Sequence, residues 1–128
     1  MPQRPSMTLG GHLRSLWAIF DVGRVMSEED APGLFDRCLR GLVFSLDRYD
    51  TGSWSRHDLD EGWKGVRLAD RETHREHILG LETIHGMSGK GALRDTARRW
   101  RDYEANARGR LTASARRLGF GLRNPRVR

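Results

Sequence analysis

The sequence predicts an all-α protein built from antiparallel helical hairpins with a long loop between them. Apolar residues recur at helical spacing over most of the 128 residues. No segment shows the alternation of polar and apolar residues that is typical of a strand. A stretch of about twenty residues in the middle has no clear period and is rich in turn-forming residues. These observations place two helices before the loop and at least two after it.

The first hairpin is predicted from two amphipathic segments joined by a short turn. A helix over about 8–25 is indicated by five residues at helical spacing, which are Leu9, Leu13, Leu16, Trp17 and Phe20. Ser27, with Asp30 three residues later, is typical of a helix N-cap, so a second helix is expected over about 29–47. A connection of a few residues favours antiparallel packing of the pair.

The segment from Arg48 to Asp70 is predicted to be a long loop. Asp50, Thr51 and Gly52 form a turn-like stretch, and the segment also contains two tryptophans. A loop of this length in a small domain is usually functional or disordered, and its aromatic residues argue against disorder.

A second hairpin is predicted after the loop. Helices are expected over about 71–86 and about 91–105, with Gly86 and Gly89 bracketing the turn between them. A further helix is indicated beyond Asn106. We therefore expect residues 1–8 to be a flexible N-terminus, 9–118 to be the helical domain and 119–128 to be a basic tail that frays.

Composition excludes several classes of protein. Apolar residues make up 37% of the chain, and no apolar run is long enough to cross a membrane. The N-terminal residues do not resemble a secretory signal. Cys38 is the only cysteine, so neither a disulfide nor a cysteine-based metal site is expected. A reducing compartment follows, and the arginine-rich composition favours a bacterial cytoplasmic protein.

Positive charge is concentrated in the C-terminal third. From residue 94 to the end, eleven arginines face three acidic residues, so this part is strongly basic although the whole chain carries only +6. Such a segment could bind a polyanion by charge alone. It fits no nucleic-acid-binding motif, so nucleic acid is not an expected partner. A basic polyanion-binding protein remains one of three hypotheses for function.

Four sequence features together resemble the C-terminal domain of the D-glucuronyl C5-epimerase family. Tyr49-Asp50-Thr51-Gly52 is followed by Asp58-Leu59, which resembles that family's Tyr-Asp-Thr-Gly loop leading into Tyr-Asp-Leu. The segment Thr73 to Ile78 resembles a Tyr-His-x-x-His-Ile helix start, and Arg99-Trp100-x-x-Tyr103 resembles an Arg-Trp-x-x-Tyr segment. The helices of the first hairpin match as well, in the same order.

The resemblance implies a fold, a reaction and a partner. It implies that the helices form the last part of an α/α barrel and that the chain is a fragment or divergent copy of the longer enzyme. The family inverts glucuronic acid to iduronic acid in heparan-type polysaccharides by removing and returning the proton at C5. A uronic-acid polysaccharide is therefore the expected substrate, without a cofactor, and a second chain could complete the barrel.

Two catalytic tyrosines of the family are replaced in this chain. His57 stands where Tyr-Asp-Leu begins, and Thr73 stands at the start of the His-x-x-His segment. Imidazole exchanges protons near neutral pH, so His57 is the candidate catalytic residue. A threonine hydroxyl does not, and Thr73 is expected to cap the third helix.

The remaining candidates are expected to bind substrate. By the resemblance they are Tyr49, Asp50, Asp58, His74 and His77. His74 and His77 share a helical face, but two histidines alone do not predict a metal site, and none is assigned. A non-catalytic descendant that binds a glycan or a partner chain is the remaining hypothesis.

Overall fold

The structure, a computed structural model, describes residues 7–26 and 29–125 and confirms the all-α fold. Within these ranges it contains five α-helices and one short 3-10 helix, and no strand. The α-helices are α1 (Leu9–Met26), α2 (Ala31–Ser45), α3 (Arg71–Ser88), α4 (Gly91–Ala105) and α5 (Ala107–Arg123). Closure into a partial α/α barrel remains a prediction.

The first hairpin forms as predicted, with corrections at its ends. α2 begins at Ala31, where Pro32 lies in the first turn, and a 3-10 helix over Leu46–Tyr49 continues it toward the loop. Asp30 occupies the N-cap position, but its side chain makes no capping hydrogen bond. Ser27, the other part of the predicted cap, lies outside the described residues.

Trp17 does not join the inward face of α1 on which the periodicity placed it. Leu9, Leu13 and Leu16 are buried, whereas Trp17 is 52% exposed. Trp17 directly follows Leu16 and is rotated by about 100° around the helix axis, so it points out of the core stripe.

The second hairpin has a different cap from the one predicted. Asp70 is the N-cap of α3, and its side chain accepts a hydrogen bond of 2.7 Å from the Thr73 N–H. Thr73 therefore lies in the first turn and is not the cap. Gly86 lies within α3, which ends at Ser88. Gly89 is the C-cap, and its φ of 71° is the left-handed conformation that favours glycine.

The helices pack in a row in the order α2, α1, α3, α4 and α5. α1 and α3 approach each other closely at Gly80. A Cβ atom on Gly80 would lie only 2.8 Å from the Leu13 Cδ1 atom, so a larger residue there would displace the end of the Leu13 side chain. The second hairpin is thus held directly against the first by buried leucine and isoleucine side chains.

The C-terminal helix is longer than predicted. The segment from Gly119 to Arg123 was expected to fray, but it belongs to α5. Phe120 is buried and its ring meets Trp63 of the loop edge-on, with centroids 5.6 Å apart. This contact fixes the helix against the loop. Residues 126–128 of the expected tail, and residues 1–6 of the expected flexible N-terminus, lie outside the described part of the chain.

Candidate functional site

The loop over residues 50–70 is folded onto the helices by isolated backbone bridges and one buried tryptophan. Asp50 pairs with Ser55, Arg56 pairs with Leu68, and Asp58 pairs with Thr8 just before α1. Trp54 is buried, and its indole N–H donates to the Ala69 carbonyl at 2.8 Å. The candidate residues on this loop are therefore held in fixed positions.

Tyr49 lies beneath the loop and does not reach the surface. Its side chain is buried, and its hydroxyl donates to the Met7 carbonyl at 2.9 Å. Burial raises the pKa of the Tyr49 hydroxyl, so the group stays protonated near neutral pH. This contact ties the end of the first hairpin to the segment before α1.

Asp50 joins the loop to α4. Its carboxylate accepts from the Gly52 N–H at 2.8 Å, from Arg99 Nε at 2.8 Å and from the Tyr103 hydroxyl at 3.0 Å. Burial alone would raise the pKa of Asp50, but the hydrogen bonds from Gly52, Arg99 and Tyr103 outweigh it and lower the pKa. The Tyr-Asp-Thr-Gly and Arg-Trp-x-x-Tyr segments thus contact each other.

Asp58 organises the second half of the loop. Its side chain is almost fully buried and accepts from Trp63 Nε1 at 3.2 Å and from Arg67 at 3.3 Å. It also accepts from the Asp60 N–H at 3.2 Å. A carboxylate with these partners holds neighbouring residues in place.

His74 and His77 form a buried hydrogen-bonded chain with Ser55. His74 Nε2 lies 3.0 Å from the Trp100 carbonyl, which can only accept, so Nε2 carries the proton. His74 Nδ1 is then an acceptor, and the Ser55 hydroxyl donates to it at 2.8 Å. The Ser55 oxygen in turn accepts from His77 Nδ1 at 2.9 Å.

This chain of hydrogen bonds requires a neutral His74, because a protonated Nδ1 could not accept from Ser55. His77 donates from Nδ1 in either protonation state, and burial is what keeps it neutral. Burial lowers the pKa of His74, and it lowers the pKa of His77 to about 3. Trp54 stacks on His74 with ring centroids 3.9 Å apart, so the pair also anchors the loop. The His-x-x-His segment is therefore internal, and its two Nδ1 atoms are engaged by one serine.

His57 differs from the other candidates because its side chain is half-buried and its imidazole makes no hydrogen bond with the described residues. Its backbone is fixed: the N–H donates to the Arg67 carbonyl at 2.8 Å, and the carbonyl accepts from the Leu9 N–H at 3.3 Å. Burial lowers the pKa of His57, the positive charge of Arg67 lowers it further, and Asp58 opposes both. The lowered pKa keeps the imidazole neutral near pH 7, so its free nitrogen is able to accept a proton.

A groove lies between α1 and α3, and sequence reasoning missed it. It has a volume of about 290 Å³ and is lined in part by Arg14, Trp17 and Glu76. The Arg14 guanidinium lies 3.6 Å from the position of a Cβ atom on Gly10, next to the residue that binds the His57 carbonyl. Sequence reasoning placed Trp17 in the core because it follows the helical spacing of the apolar residues. No motif marks Arg14.

The described residues contain no group of three or more histidine, cysteine, aspartate or glutamate side chains that could hold a metal ion. No helix among them is both long and apolar enough to cross a membrane.

The fold and the loop define an all-α domain of a carbohydrate epimerase family. The chain belongs to the family described as the D-glucuronyl C5-epimerase C-terminus, whose model matches residues 1–102. It is 31% identical over 112 aligned residues to the D-glucuronyl C5-epimerase of Caenorhabditis elegans. That match covers 77% of this chain and 18% of the relative, so the chain spans less than a fifth of the relative's length. The family and the named relative therefore support an epimerase-like function at the level of the family.

Proposed function

We propose that this chain is a glucuronyl C5-epimerase-like protein that acts on uronic acid residues of a heparan-type polysaccharide, with His57 exchanging the proton at C5. The observation that carries the proposal is the state of His57. It is accessible from solvent, fixed through its backbone, and without an internal partner among the described residues. It also occupies the position where the family motif has a tyrosine.

The chemistry requires a base and a neutralised carboxylate. The C5 proton of a uronate is weakly acidic, because its removal places negative charge on the adjacent carboxylate group. A neutral imidazole with a lowered pKa accepts that proton, and a guanidinium stabilises the resulting enediolate. Arg14 is exposed and lines the groove between α1 and α3, and we propose that it supplies this cation.

The groove offers suitable contacts for a sugar ring. Trp17 presents an exposed indole that can stack on the apolar face of a pyranose, and Glu76 can accept hydrogen bonds from hydroxyl groups. The groove volume lies near the lower end for ligand sites, which fits one or two sugar units of a longer chain.

The other candidate residues are assigned to positioning. Tyr49, Asp50, Asp58, His74 and His77 make their hydrogen bonds within the chain. We therefore propose that they hold the loop that carries His57 and do not contact the substrate.

Inversion needs a second group on the opposite face of the sugar. With a single base, the group that removes the C5 proton also returns a proton to the same face of the sugar. The product is then glucuronate again, without inversion. Thr73 cannot supply the second proton near pH 7. We propose that a second chain, completing the barrel, provides this group, and that the present chain alone exchanges the C5 proton with retention of configuration.

The experiment is deuterium incorporation at C5 of heparosan in heavy water, followed by mass spectrometry of the released disaccharides. The wild-type chain should incorporate deuterium without forming iduronate, and His57→Phe should abolish incorporation. His85→Phe is the matched control, because it removes a histidine from the last turn of α3 and leaves the loop that carries His57 unchanged. Incorporation that survives in His57→Phe would exclude His57 as the base.

A non-catalytic glycan-binding protein of the same descent is the second candidate. It is favoured by the number of candidate residues that are engaged internally. This alternative predicts that the chain binds heparosan without exchanging the C5 proton. Arg14→Gln should then bind more weakly than the control Arg40→Gln, which changes an exposed arginine on α2. A basic polyanion binder would instead bind any polyanion equally and release it steeply as salt is added.

A further inference from the structure

Helix α5 carries an exposed row of leucines that the proposed function does not use. Leu111, Leu118 and Leu122 are each more than 70% exposed. With Ala115 between them they follow one another at intervals of four, three and four residues, so they form one continuous stripe along the helix. Isolated exposed leucines are common, but a stripe of three on one helix face indicates an interaction surface.

The stripe faces away from the body of the protein. The inward face of α5 is marked by Ala113 and Phe120, both buried. At about 100° per residue, Leu111, Leu118 and Leu122 lie roughly opposite those two positions. Leu118 and Leu122 also line a shallow hollow together with Gly121. The helix is therefore fixed by one face and presents the other to its surroundings.

The charges that flank the stripe are all positive. α5 contains five arginines and no acidic residue. Arg108, Arg116 and Arg123 lie on one side of the leucine row, and Arg110 and Arg117 lie on the other side. The Arg123 guanidinium also packs against Gly65 of the loop. A central apolar stripe with arginines on both sides is typical of a helix that lies flat in the interface of an anionic membrane.

We propose that α5 is a docking surface for an anionic lipid membrane, with the leucine stripe inserted below the headgroups and the arginines against the lipid phosphates and carboxylates. The leucines argue against a polysaccharide as the occupant, since a sulfated or carboxylated glycan offers them no apolar contact. The five arginines argue against a second copy of α5, because two such helices side by side would repel each other. Both properties together match an acidic lipid surface.

The test is flotation of the chain with vesicles of phosphatidylcholine that contain phosphatidylserine, against vesicles of phosphatidylcholine alone, at physiological salt. The double variant Leu118→Ser/Leu122→Ser should lose at least about tenfold in affinity, because each leucine contributes to the buried apolar area. Phe44→Ser is the matched control, since Phe44 is 89% exposed on α2 and should not affect binding. Both leucines are exposed, so circular dichroism should show the same fold for all variants.

Four outcomes decide the proposal. Binding that needs both phosphatidylserine and the leucines supports it. Absence of binding to either vesicle overturns it, and so does binding that the leucine double variant retains, which would show attraction by charge alone. Concentration-dependent dimerisation that the double variant loses, without vesicle binding, would assign the stripe to a second copy of the chain and also overturn the proposal.

Discussion

Acid should destabilise this protein through His77 well before its carboxylates are protonated. Burial holds the pKa of His77 at about 3, whereas an unfolded histidine titrates at about 6.5. Between these two values the unfolded chain binds a proton that the folded chain does not. The contribution of His77 to the free energy of unfolding is therefore fully present above about pH 6.5, and it decreases as the pH falls toward 3.

The size of the effect follows from the difference between the two pKa values. At pH 5 the unfolded histidine is about 1.5 pH units below its pKa, and each unit corresponds to 1.36 kcal/mol, so the loss is about 2 kcal/mol. That is a large part of the stability of a small domain, which is often about 5 to 10 kcal/mol. Carboxylates contribute little to the change in this window, because their reference pKa values are near 4.

The assay is urea unfolding followed by tryptophan fluorescence at pH 7.5 and pH 5. His77→Asn places an amide N–H near the position of Nδ1, so it can still donate to Ser55 without titrating. This variant should lose about 2 kcal/mol less than the wild type between the two pH values. His85→Asn, at the other end of α3, should show the wild-type change. An equal loss of unfolding free energy in the wild type and in His77→Asn would refute the claim that His77 is buried in its neutral form.

Three further predictions concern packing and charge. Gly80→Ala should destabilise the protein by about 1 kcal/mol in urea unfolding, because its Cβ atom would crowd the Leu13 side chain by more than the helix propensity of alanine returns; a stabilised variant would contradict this packing. Arg67→Gln should raise the pKa of His57 in an NMR titration, since a positive charge beside the imidazole is removed; an unchanged or lower pKa would show that Arg67 does not act on it. Tyr49→Phe should cost about 1 kcal/mol of unfolding free energy by deleting one buried hydrogen bond, and a neutral effect would mean that this bond contributes nothing.

The helices could be predicted from the sequence because their apolar residues keep the helical period. The predicted fourth helix, about 91–105, matches α4 at both ends. Boundaries were missed where local chemistry offered two solutions. Asp70 and Thr73 both suit an N-cap, and only the structure shows that the Asp70 side chain reaches the Thr73 N–H.

The site was harder to predict than the fold, because a motif does not distinguish residues that contact a ligand from residues that support them. Asp50 and Tyr103 are far apart in sequence, and their hydrogen bond becomes visible only when α4 packs against the loop. Trp17 was assigned to the core because a helical period fixes a face only to within about one residue. The exposed tryptophan and the groove beside it could be found only from the packed hairpins.

The central claim is that the surface around His57 and the groove between α1 and α3 binds a uronate. The most direct test is NMR of the imidazole and indole signals while a heparosan oligosaccharide is added. Trp17 and His57 should shift together and saturate, while the buried Trp54 and Trp100 should not move. A titration in which only the arginine signals of α5 respond, with Trp17 and His57 unchanged, would contradict the account.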